Sequence, residues 1–76
     1  MNNSRRKELN KAAEMIRSAK IIVENAMNDE QICFDNLTEG LQQTIRGSQM
    51  EEAIDNMSAA IDECDNVIEL LEETAV

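Results

Sequence analysis

Residues 50–75, MEEAIDNMSAAIDECDNVIELLEETA, set apolar side chains at Met50, Ile54, Met57, Ile61, Cys64, Ile68, Leu71 and Ala75, an unbroken 4-3-4-3 spacing. That spacing holds one narrow stripe on one side of an α-helix and leaves the other sides to polar residues. No lysine, arginine or histidine follows Arg46, so the stretch reads as an acidic helix with a single apolar seam, which another helix must cover. Ser48-Gln49-Met50-Glu51 matches a capping box, in which the serine oxygen accepts from the Glu51 amide and the glutamate returns to the Ser48 amide. A helix is therefore predicted over about 49–73, with Gly47 as the stop of whatever precedes it.

The covering helix is upstream. Leu9, Ala12/Ala13, Ile16, Ala19, Val23, Ala26/Met27 and Cys33/Phe34 recur at helical spacing, broken only by Glu30, and predict a helix over about 4–34 with Ser4 as N-cap. Asn36 offers a fresh cap with Glu39 three residues on, and Leu37, Leu41 and Ile45 follow at i, i+4, i+8, so a short bridging helix is predicted over about 37–46. The chain is thus read as one all-α domain, residues 1–76. Its two helices of roughly 25–30 residues, ~40–45 Å long, form an antiparallel two-helix hairpin. No proline, two glycines and one aromatic residue (Phe34) argue against a sheet, and 42% apolar residues argue against disorder.

Charge orients the pair. Residues 1–28 carry six basic side chains (Arg5, Arg6, Lys7, Lys11, Arg17, Lys20) against three acidic ones, while residues 48–76 carry nine acidic and no basic side chains. A fold near residues 41–42 sets Lys11 level with Glu72 and Lys20 level with Glu63, and brings Ile16 near Val67, Ala19 near Cys64 and Val23 near Ala60. Cations in a first helical turn oppose the helix dipole, as do Glu69, Glu72 and Glu73 in a last turn, so each cluster is expected to compensate the other.

A chain this short buries only about 60–65% of its unfolded surface. Small domains make up the deficit with disulfides, metals or self-association. This one has no histidine and two cysteines outside any C-x-x-C spacing. Cys33 and Cys64 fall about 14 residues apart along the hairpin, ~20 Å, beyond the ~7 Å reach of a disulfide. They are read as small buried hydrophobes in a reducing compartment. Met15 and Ile22, with Ile21 further round, exceed what one partner helix covers, whereas the second helix has only Leu70 and Ala59 to spare. A homodimer through Met15, Ile21 and Ile22 is therefore expected, a four-helix bundle with the first helices central.

The sequence points away from an enzyme and offers no catalytic, cofactor or metal site. It has no histidine, no Gly-rich loop and no nucleophile with an adjacent base. Carboxylates at Glu51/Asp55, Asp62/Asp65 and Glu69/Glu72/Glu73 have a spacing a divalent ion could use, but solvated helix faces produce the same runs. The di-iron pattern of helical bundles needs Glu-x-x-His, which this chain cannot form. A net charge of −9 opposes direct contact with nucleic acid or an anionic membrane and favours a protein partner with a basic surface. With no 18-residue apolar run, and a polar helix after Met1–Lys7, a cytoplasmic location is expected.

The acid is unevenly spread. Residues 29–56 hold Asp29, Glu30, Asp35, Glu39, Glu51, Glu52 and Asp55 against Arg46 alone, a net −6, which leaves −3 for the rest. An acidic rim near Phe34, Leu37, Leu41 and Ile45 is the candidate dock for a basic protein surface. The same four apolar residues also serve to plug the end of the bundle.

The segment Phe34-Asp35-Asn36-Leu37-Thr38-Glu39-Gly40-Leu41-Gln42, with Arg46-Gly47 and Met50-Glu51-Glu52-Ala53-Ile54-Asp55-Asn56, resembles a group of small uncharacterised helical proteins from phages, prophages and other mobile elements of Firmicutes. The likeness spans roughly residues 8–72, is most specific at the turn, and departs from the group's pattern at Thr38, where proline is usual, and Ile45, where glutamate is common. It implies a source and a size class rather than a reaction. From such a source, in a host cytoplasm, the expected role is an acidic inhibitor of a nucleic-acid-binding host or defence protein, its turn-end carboxylates standing in for phosphates. The alternative is a coiled-coil assembly protein working through helix–helix association.

Overall fold

In a computed structural model describing residues 1–76, the chain forms α1 (Asn3–Asp35), α2 (Glu39–Gln42) and α3 (Ile45–Thr74), without strands. The expected helical hairpin is the fold: α1 and α3 pack lengthwise, α2 turns the corner, and the whole is a rod of 58 × 14 × 12 Å.

The seam of α3 is as its spacing dictates. Met50, Ile54, Met57, Ile61, Cys64, Ile68, Leu71 and Ala75 are all half-buried or buried. On α1 the matching 4-3-4-3 row is Leu9, Ala13, Ile16, Lys20, Val23, Met27, Glu30 and Phe34, each half-buried or buried. Ala13 and Ile68 are the most enclosed apolar side chains of the molecule. Ala19, expected opposite Cys64, is exposed, and Lys20 takes that place in the seam. A lysine fits there because its aliphatic stem packs while its ammonium reaches the edge, here 2.6 Å from Asp65.

The caps differ from those predicted, each for a local reason. Asn2, not Ser4, caps α1, its Oδ1 accepting from the Arg5 amide at 2.8 Å. Asn36 ends α1 rather than starting α2, because its N–H donates back to the Ile32 carbonyl at 3.0 Å. Thr38 caps α2, its Oγ1 accepting from the Leu41 amide at 3.3 Å, so the bridging helix is four residues rather than ten. The second long helix begins at Ile45, four residues ahead of its predicted start. Thr44 Oγ1 accepts from the Gly47 amide and donates to the Leu41 carbonyl, and the Ser48 amide is already bonded to the Thr44 carbonyl. Gly47 is therefore not a stop but a buried residue of the first turn of α3.

The register shifts with the turn. Lys20 meets Asp65 rather than Glu63, and Glu72 meets Arg17 rather than Lys11. The midpoints of these pairs fall at residues 42–45, slightly beyond the expected bend. Ion pairing is confined to Arg17 with Glu14 and Glu72 and to Lys20 with Asp65, so Arg5, Arg6, Lys7 and Lys11 are not compensated by the C-terminal acids as expected.

Residues seven apart on a helix share one line, with a drift of about 20° per step. On α1 the line Arg17, Glu24, Gln31 flanks the seam on the side that carries both interhelix ion pairs, facing Glu51, Asp65 and Glu72 of α3. The line Ala12, Ala19, Ala26, Cys33 flanks the seam on the opposite side, with Met15 and Ile22 beyond it. Ala60 and Val67, with Leu70 beyond, occupy the equivalent line of α3. The hairpin thus carries its interhelix ion pairs on one face and an apolar stripe on the other, where Arg5, Glu8, Asp29 and Glu63 are the charged residues. Met15, Ile22 and Leu70 are 64%, 68% and 62% exposed. Val67 and Ala60, expected against Ile16 and Val23, are exposed as well.

A candidate protein-binding cleft at the turn end

The seven predicted acidic residues separate once the helices are packed. Glu51 and Asp55, one turn apart on α3, line a cleft of about 240 Å³ with Gln31 and Phe34 of α1 and Ile54 of α3. Phe34 and Ile54 are half-buried and supply an apolar wall, while Glu51 and Asp55 stand exposed at the rim. Asp35 adjoins the cleft, because Gln31 Nε2 donates to its Oδ1 at 2.9 Å. No cation lines it.

The other four lie elsewhere. Glu30 is half-buried in the α1 seam, Glu39 is exposed in α2, and Glu52, 100° round α3 from Glu51, points outward from α1. Asp29 is on the apolar side of α1. Of the four apolar turn residues, Phe34 and Leu37 are half-buried and plug the end of the hairpin, while Leu41 and Ile45 are exposed. Ile21 lines the charged groove with Arg17, Lys20, Glu24, Asp65 and Ile68, so it does not share a face with Met15 and Ile22 as expected.

Phe34 is held by a residue that sequence spacing did not single out. Gln42 Nε2 donates to the carbonyls of Phe34 and Leu37, at 3.1 and 3.3 Å, and so ties the end of α1 to α2. A glutamine eight residues on carries no periodic signal. Gln31 and Ile54 were missed for a related reason: each is ordinary on its own helix and matters only where the helices meet.

Further along the same face is a groove of about 390 Å³ whose charges are already matched. Arg17 is shared between Glu14 and Glu72, and Lys20 bonds Asp65. The Asp65 hydrogen bond holds the Lys20 ammonium above its ordinary pKa of 10.5, against the opposing effect of partial burial. This groove has no unpaired cation or anion excess comparable with the turn-end cleft.

Comparison with protein-family models, with curated proteins and with solved structures finds no match. What the cleft can do must therefore be argued from its own residues. No three Asp, Glu or Cys side chains converge on a point where they could hold a metal ion. Cys33 and Cys64 are free thiols, Cys64 half-buried in the seam and Cys33 exposed rather than buried as expected. No helix is long and apolar enough to cross a membrane. The turn-end cleft is smaller than the ~300 Å³ at which small-molecule sites begin. It has the size and polarity to receive a side chain: an apolar wall for an aliphatic stem and two carboxylates for a cationic head.

Proposed function

We propose that this protein is a non-enzymatic binding module that takes a basic side chain, arginine above all, from a partner protein into the cleft between α1 and α3 at the turn end. The observation that carries the reading is the pairing of Phe34 with Glu51 and Asp55 at a site lined by no cation, in the half of the chain with net charge −6. Arginine matches such a site because its planar guanidinium bonds carboxylates in a fork and stacks on aromatic faces. The excess negative charge speeds and orients the encounter. A partner with a nucleic-acid-binding surface fits this chemistry, with the carboxylates occupying positions that phosphates otherwise take, and the module then acts as its inhibitor.

The test uses a fluorescent arginine-rich peptide, with anisotropy measured at low and high salt. Binding that weakens with salt and disappears in Glu51→Lys/Asp55→Lys supports the reading. The variant Glu52→Lys/Glu63→Lys changes net charge equally but leaves the cleft intact, and it should retain most of the affinity. Equal loss in both variants would reduce the effect to overall charge and overturn the cleft.

A further inference from the structure

We infer that two copies of this chain associate through their apolar faces, end for end, with α1 of one hairpin lying antiparallel on α1 of the other.

The hairpin exposes 5613 Å², whereas a folded monomer of 8.6 kDa is expected to expose only ~4,700 Å². The excess of about 900 Å² is close to the ~800 Å² that each partner buries in a standard interface. Of the exposed large apolar side chains along the middle of the rod, Met15 and Ile22 on α1 with Val67 and Leu70 on α3 share one face, opposite the ion pairs, and only Ile21 lies on the charged side.

Ala12, Ala19, Ala26 and Cys33 recur every seven residues, with Met15 and Ile22 between them. Small residues on such a line let two helix backbones approach closely, since the interaxial distance follows the side chains at the contact. The line is also symmetric about the point between Ile22 and Val23. Antiparallel pairing there sets Ala19 against the partner's Ala26 and Ala12 against the partner's Cys33, small on small, with the two Ile22 side chains at the centre.

Charge decides the direction. Stacking the hairpins with their turns at the same end would bring two halves of net −6 together. Stacking them end for end lays Arg5 and Lys11, which form no ion pair within the hairpin, alongside the partner's turn half, where Asp29 and Glu39 are likewise unpaired. Both ends of the dimer gain the same match by symmetry. The turn-end clefts lie on the opposite faces and stay open, so the dimer and the binding reading stand or fall separately.

The test is sedimentation with directed cross-linking. At 100 μM the wild-type chain should sediment at twice its monomer mass, and Ile22→Asp should be monomeric with its helical circular dichroism intact. In Ala12→Cys/Cys64→Ser the two thiols of one chain are about 32 Å apart along α1, too far to join each other. Mild oxidation should therefore yield a covalent dimer whose peptide map links position 12 to Cys33 of the partner subunit. Replacing Arg5 and Lys11 by glutamate should weaken association at low salt by at least about tenfold, roughly 1.4 kcal/mol. A wild-type monomer at 100 μM would overturn the inference, and so would a dimer without the 12-to-33 link.

Discussion

Gly47 lies against the backbone of Gln42: a Cβ added at Gly47 would stand 2.2 Å from the Gln42 carbonyl oxygen and 2.7 Å from its carbonyl carbon. No backbone residue has positive φ, so this glycine is required by close approach and not by conformation. It allows α3 to start close against α2, at the end of the rod where Phe34 and Glu51 line the cleft.

Gly47→Ala should therefore lower stability by about 1–3 kcal/mol, the usual range for overpacking a closed contact, although alanine is the better helix former. Gly40 has open space around its Cα. Gly40→Ala should raise stability by about 0.5–1 kcal/mol. Urea unfolding of the two variants should give shifts of opposite sign, and a gain in both would show that the Gly47 contact is not closed.

Packing should outweigh ion pairing. Ile68 is 7% exposed, the most enclosed large residue of the α3 seam, and Ile68→Ala should cost about 2–4 kcal/mol. Arg17 reaches Glu14 and Glu72, but all three side chains are 40% or more exposed, so Arg17→Ala should cost no more than about 1 kcal/mol, less in high salt. Thermal melts of the pair at two salt concentrations separate the contributions.

The Lys20–Asp65 contact predicts an alkaline transition. The Lys20 ammonium titrates above its ordinary 10.5, held up first by the hydrogen bond to Asp65 and then by the fields of Asp65, Glu24 and Cys64. A raised cationic pKa contributes stability that is fully present below about 10.5 and is lost as pH rises through the folded value. Wild type should accordingly lose stability relative to Lys20→Met as pH rises above about 10.5. A difference between the two that does not change over that range would rule the contact out as a pH-dependent contributor.

The two thiols should label differently. Cys33 is exposed on the apolar face and Cys64 is half-buried in the seam, so in dilute solution a thiol reagent should reach Cys33 first. If the faces pair end for end, Cys33 labelling should slow as protein concentration rises while Cys64 labelling stays constant. Peptide mapping after timed alkylation reads both rates.

How much of this was legible in the sequence depends on the helix. The α3 seam was legible residue by residue, from Met50 to Ala75, because its apolar residues keep one unbroken 4-3-4-3 line. The α1 seam was not, because Ala12/Ala13, Ala26/Met27 and Cys33/Phe34 offer two apolar lines one residue apart, and both satisfy the same spacing. At the next turn the packing buries Lys20 and leaves Ala19 exposed. The site was legible as a concentration of acid between residues 29 and 56, but not as a cleft, since Gln31, Phe34, Ile54 and the two rim carboxylates come from helices whose alignment depends on the turn.

By itself, then, the sequence determined two long helices, an antiparallel hairpin, and an acidic turn end. Those follow from periodicity and charge, which act over a few residues and are written into each segment. Only the tertiary structure decided the register, the caps and the division of the rod into a charged and an apolar face. Those depend on where α3 begins, and that start is set by Thr44 bonding the Gly47 amide and by Gly47 fitting against Gln42. A shift of a few residues at that corner carries every opposing pair with it, from Lys20 and Asp65 to Phe34 and Glu51.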